Sequence, residues 1–148
     1  MIRSAIATWR GGPAAGEGSV TTSSGVITNA LYSFGSSTGN EPCTSPSEML
    51  TAAIASCMSL MVTREMTKAG LHEKSVTTEA QLTLTEKKSQ WEITDIHLIV
   101  STSVPEAEVQ KFEQAAKIAK TKCPISNILE IPIKMTTKVQ SAEHAAVG

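Results

Sequence analysis

Residues Thr44 to Gly70 read TSPSEMLTAAIASCMSLMVTREMTKAG, the densest apolar stretch of the chain. Its ends carry helix punctuation. Ser45 is placed to cap, Pro46 suits the first helical position, and Glu48 stands three residues after the cap. Gly70 offers a left-handed stop just after Lys68, whose charge suits a last turn. Between lie about 24 residues free of Gly and Pro, roughly 36 Å of helix. Met49, Ala52, Ala53, Ser56, Leu60 and Thr63 follow a three-four spacing, while Ile54, Met58, Met61 and Val62 fill other faces. A helix apolar around most of its circumference is expected inside a core or an interface. Cys57 lies near its middle.

The 148 residues are enough for one domain with a real core, expected over residues 1–140 and followed by a flexible tail, 141–148. The net charge of −1 and the 3% aromatic content argue against a nucleic-acid surface, and no basic run marks a lipid surface. The N-terminus lacks the apolar core of a signal peptide, and no stretch reaches the ~18 apolar residues of a membrane span. Three cysteines, widely spaced and without CxxC, fit free thiols in a reducing, cytoplasmic setting better than a disulfide framework or a zinc site.

Ile2 to Trp9 reads as a strand. Gly18 to Thr22 and Val26 to Tyr32 read as two more around the Ser23-Ser24-Gly25 turn. Phe34 to Cys43 (FGSSTGNEPC) is a polar loop leading to the long helix. Ser75 to Glu86 alternates, with Val76, Ala80, Leu82 and Leu84 on one face. Lys87 to Gln90 makes a turn. In Trp91 to Thr102 the apolar phase slips from Trp91 and Ile93 to Ile96, Leu98 and Val100, which predicts a bulge near Thr94-Asp95. Pro105 opens a second helix with a stripe of Val109, Phe112, Ala116 and Ala119, ending near Lys122 because Pro124 follows. Pro124 to Leu129 forms a short helix whose start is Cys123, and Ile131 to Val139 alternates as a final strand. The order is α+β with mostly antiparallel sheets on a long buried helix.

Cys57 has two readings: a small filler of an apolar helix, or a reactive thiol. Cys123 bears on the choice. It stands in Lys122-Cys123-Pro124-Ile125-Ser126, at a helix start and beside a lysine, and both surroundings favour a thiolate. The two thiols form a reversible pair if they meet in space. Cys43 is either an incidental loop thiol or a third redox partner. Glu41 reads as solvated. His72, His97 and His144 carry no ligand spacing, and no metal site is expected.

Ser45-Pro46-x-Glu48-Met49-Leu50 with Ala52 to Cys57, followed by Cys123-Pro124-Ile125-Ser126, resembles the OsmC/Ohr family of osmotically inducible and organic hydroperoxide resistance proteins. GSVTTSSG at Gly18 to Gly25, Tyr32-Ser33-Phe34-Gly35 and the order of elements resemble it too. The resemblance implies an OsmC-like fold and an intertwined homodimer with its active sites at the subunit interface. It implies a peroxidase of the oxidative stress response, acting on organic hydroperoxides and, in some members, on hydrogen peroxide. Cys57 then corresponds to the peroxidatic cysteine and Cys123 to the resolving one. Attack by Cys57 gives a sulfenic acid, and condensation with Cys123 gives a disulfide. No bound cofactor is implied; an external dithiol, lipoyl-type or a small-molecule thiol, regenerates the pair.

The chain departs from this family pattern in two places. The family's arginine, in the loop before the long helix, falls at Ser37, and Phe34 to Cys43 holds no Arg or Lys. The family's glutamate falls at Ser47, one residue before Glu48. On an ideal helix Ser47 lies about 80° from Cys57 and Glu48 about 180° away, so Glu48 reads as a cap and dipole partner. Ser37, Ser47, Glu48 and Cys43 are therefore the supporting candidates. Arg3, Arg10, Arg64 and Lys122 are the cations available to replace the arginine. The departures keep a second function open: an OsmC-like protein that binds an apolar small molecule or senses redox state.

Overall fold

The computed structural model describes residues 1–13, 15–33, 42–72 and 75–140. Ser37, Glu41, His144 and the expected tail lie outside the described residues. The chain divides into two compact units, residues 1–50 and 51–148.

In the first unit β1 (Ala5–Arg10), β2 (Glu17–Thr22) and β3 (Ala30–Tyr32) form an antiparallel sheet in chain order. The expected strand from Val26 is cut to its last three residues. Local polar groups take over the segment before it: Thr28 Oγ1 donates to the Gly25 carbonyl at 2.6 Å, and the Asn29 N–H donates to Thr21 Oγ1 at 3.0 Å. Gly25 and Asn29 adopt positive φ values of 73° and 50°, which a strand cannot contain. Trp9, Gly18 and Tyr32 are register partners across the three strands. The Trp9 and Tyr32 rings converge over Gly18, centroids 5.8 Å apart, and a Cβ there would stand 2.6 Å from the Tyr32 ring.

α1 (Pro46–Lys68) starts in the first unit and runs on into the second. Its punctuation behaves as the residues require. The Glu48 N–H donates to Ser45 Oγ at 3.2 Å. At the far end Gly70 has φ 79°, and the Leu71 N–H returns to the Met66 carbonyl at 2.9 Å, a Schellman closure with Leu71 buried.

The second unit holds the sheet β4 (Val76–Lys87), β5 (Gln90–Thr102) and β6 (Ile133–Val139). β4 and β5 make a hairpin through Lys88 and Ser89, both at positive φ as a two-residue turn of type I′ needs. The expected bulge is present: Thr83 pairs with Asp95 and Leu84 with Ile93, leaving Thr94 without a register partner. β6 pairs with β5 in parallel, which demands a crossover. That crossover is a 3-10 turn (Glu106–Glu108), α2 (Val109–Lys122) and α3 (Pro124–Asn127).

The core of this unit joins three stripes. α1 gives Ile54, Met58, Val62 and Met66; β5 gives Ile96, Leu98 and Val100; α2 gives Phe112, Ala115, Ala116 and Ala119. Each large member contributes about 1.5–3 kcal/mol by leaving water. α1 buries this single stripe within the chain, and Ala52, Ala53 and Leu60 stay exposed, so the wider burial read from its composition is not met inside one copy.

Candidate functional site

Cys57 and Cys123 are 66 residues apart in sequence, and their sulfurs lie 3.0 Å apart. α1 presents Cys57 beside its buried stripe, half-buried. Cys123 ends α2 because Pro124 forbids continuation, and its extended backbone (φ −70°, ψ 110°) turns the chain into α3. Its side chain is fully buried. Both thiols are free, with room to close to the ~2.05 Å of a disulfide by a movement of about 1 Å.

Their surroundings differ in sign. Burial and the hydrogen bond to Cys123 push the Cys57 thiol above its ordinary value; the Ile125 N–H works the other way, and charge on Cys123 adds to the rise. Burial also opposes ionisation of Cys123, but the Ser126 hydroxyl, the Cys57 thiol and the N–H groups of Ser126 and Ile125 outweigh it and hold Cys123 below its ordinary value. The Ser126 hydroxyl donates to Cys123 Sγ at 3.2 Å. The two titrate as a unit.

Ser47 and Glu48 are in the first turn of α1: Ser47 Oγ is 3.0 Å from Ser45 Oγ, and Glu48 accepts from Thr44 Oγ1 at 2.9 Å. Cys43 Sγ is 3.3 Å from Ser33 Oγ in the first unit. Lys122, expected to assist Cys123, is committed to another partner. Its Nζ donates to both carboxylate oxygens of Glu65 at 3.2 Å, and Lys68 donates to the same group at 2.8 Å. Arg64 is exposed on α1. Sequence reasoning missed Glu65, which is only 5% exposed. Its signal was a carboxylate interrupting the Ile54-Met58-Val62-Met66 stripe. Among the described residues no helix is long and apolar enough to cross a membrane, and no group of three His, Cys, Asp or Glu could hold a metal ion.

A free dithiol of this kind, on a long helix beside a β-hairpin and crossover, defines a class of thiol proteins. The family model described as OsmC-like protein matches residues 38–138, and the chain belongs to this OsmC/Ohr family. Peroxiredoxin OsmC of Escherichia coli strain K12 is 31% identical over 133 residues, 90% of this chain and 93% of that protein. Among solved structures, the organic hydroperoxide resistance protein OhrB of Bacillus subtilis superposes with TM-score 0.69 at 21% identity, covering 91% of this chain and 98% of that one. The OsmC-like protein of Mycoplasma pneumoniae reaches TM-score 0.77 at 10% identity, covering 95% and 99%. At those identities the two structures speak for the fold alone.

Proposed function

We propose that the chain is a cysteine-based peroxidase that reduces organic hydroperoxides, with hydrogen peroxide as a second substrate, using Cys57 and Cys123. The observation that supports this reading is the 3.0 Å approach of two free sulfurs from distant parts of the chain. The difference in exposure supports the division of roles. Cys57 is the sulfur a peroxide can reach, and Cys123 is fully buried behind it.

In the proposed cycle Cys123 thiolate takes the Cys57 proton as Cys57 attacks the peroxide. The Cys57 sulfur bonds to the distal oxygen, the O–O bond breaks, and the departing alkoxide collects the proton from Cys123. Cys57 is left as sulfenic acid and Cys123 is again a thiolate. It attacks the Cys57 sulfur, a disulfide forms, and hydroxide leaves, taking a proton from solvent to become water. An external dithiol, lipoyl-type or small-molecule, restores both thiols. The reading includes a homodimer, whose second copy would cover the exposed Leu60 face of α1, and a cytoplasmic setting where thiols stay reduced.

Purified protein should consume cumene hydroperoxide when a dithiol is supplied, and Cys57→Ser should abolish turnover. Equal rates for the two proteins would overturn the proposal. One observation favours a binding role instead: an apolar cavity of about 290 Å³ in the first unit, lined by Trp9, Pro13, Tyr32 and Pro46. Native mass spectrometry decides between them, since an apolar ligand retained by a protein with unreactive thiols would select binding.

A further inference from the structure

Glu65 is a carboxylate in an apolar stripe, and its partners belong to two elements. Lys68 is on the same helix and can fix nothing but the side chain itself. Lys122 is the last residue of α2 and immediately precedes Cys123. Two consecutive residues thus hold α1 at two places. Cys123 meets Cys57 through sulfur, and Lys122 meets Glu65 through both carboxylate oxygens. Eight residues separate Cys57 from Glu65, about 12 Å along the helix and 80° around it. One attachment would let the end of α2 pivot, whereas two so far apart hold both its position and its rotation.

An ion pair with a buried carboxylate is a weak source of stability compared with an apolar residue in the same stripe. It is a good source of placement. The Cys57–Cys123 bond requires the sulfurs to close by about 1 Å in line with the departing oxygen, and a misplacement of that size can cost about 100-fold in rate.

We propose that Glu65 is a positioning residue for disulfide formation: through Lys122 it sets the end of α2 so that Cys123 Sγ stands beside Cys57 Sγ. The inference rests on Cys57 and Cys123 being a redox pair, and concerns the second step of their cycle only.

The test separates the two steps. Wild type, Glu65→Gln, Lys122→Met and Lys122→Arg are mixed with cumene hydroperoxide. Sulfenic acid is counted by dimedone trapping, and the disulfide by peptide mass spectrometry without reductant. Glu65→Gln and Lys122→Met should form sulfenic acid at the wild-type rate and the disulfide on the order of tenfold more slowly. Lys122→Arg, which keeps the cation, should match wild type. In a dithiothreitol redox buffer, without peroxide, the first two variants should also retain more dithiol at equilibrium. A merely structural pair would lower thermal stability and leave the ratio of the two rates unchanged. Lys122 is half-exposed and Lys68 stays on Glu65 when it is replaced, so its variants keep the test open should Glu65→Gln fail to fold. Closure as fast in Lys122→Met as in wild type would overturn the role of Glu65 alone. A wild-type protein that forms no disulfide, even in the redox buffer, would overturn the redox pair itself.

Discussion

The Ser126 hydroxyl, itself 5% exposed, donates to the fully buried Cys123 sulfur across 3.2 Å. It favours the charged form of that thiol, and Ser126→Ala removes it. Cys123 should then ionise at higher pH, seen as an upward shift of the ultraviolet thiolate absorbance. The sign for stability follows from the depressed thiol: its contribution is complete above the unfolded thiol value and is lost as pH falls through the folded one. Denaturant melts across that window should show a smaller pH dependence in the variant. An unshifted titration would remove Ser126 from this role.

Cys123→Ser changes both sulfurs. Cys57 is held high by burial and then by its neighbour, so losing the neighbour should let it ionise at lower pH than in wild type. Iodoacetamide labelling of Cys57 against pH should show the midpoint moving down. The sulfenic acid formed by hydroperoxide should persist in this variant, because no second thiol meets it. A midpoint that stays or rises contradicts the shared-proton arrangement.

Phe112 is the largest side chain that α2 buries completely. Phe112→Ala removes its burial and leaves a cavity, at a cost of about 3–5 kcal/mol. Urea unfolding followed by circular dichroism measures it, and a loss below about 1 kcal/mol would show that the site collapses to fill the space.

Gly18→Ala places a methyl group 2.6 Å from the Tyr32 ring and 2.8 Å from the Trp9 ring. The rings must part, at about 1–3 kcal/mol. Near-ultraviolet circular dichroism should lose the coupled aromatic signal as stability falls. An unchanged spectrum would mean that the rings do not rest on this glycine.

Features written in neighbouring residues were legible in the sequence. The Ser45 cap, the Gly70 stop and the bulge at Thr94 each follow from a few positions, and each is present. β3 was overestimated because the hydroxyls of Thr21 and Thr28 compete for backbone groups that apolar alternation assigns to a strand. The parallel pairing of β5 with β6 is absent from any local pattern, since it depends on how the crossover folds back. The same division holds at the site. Motifs pointed to Cys57 and Cys123, but only folding brings them to 3.0 Å and gathers the donors around Cys123 that lower its thiol. Lys122 looked like a neighbour of Cys123 and is held instead by Glu65, a contact across 57 residues.

Because Cys123 is sealed from solvent while Cys57 is not, any disulfide between them has a single door. In the proposed cycle a reductant would reach the Cys57 side of that bond and expel Cys123. In the proposed cycle, recharging would therefore run in one direction, through a mixed disulfide on the same atom that would first meet the oxidant.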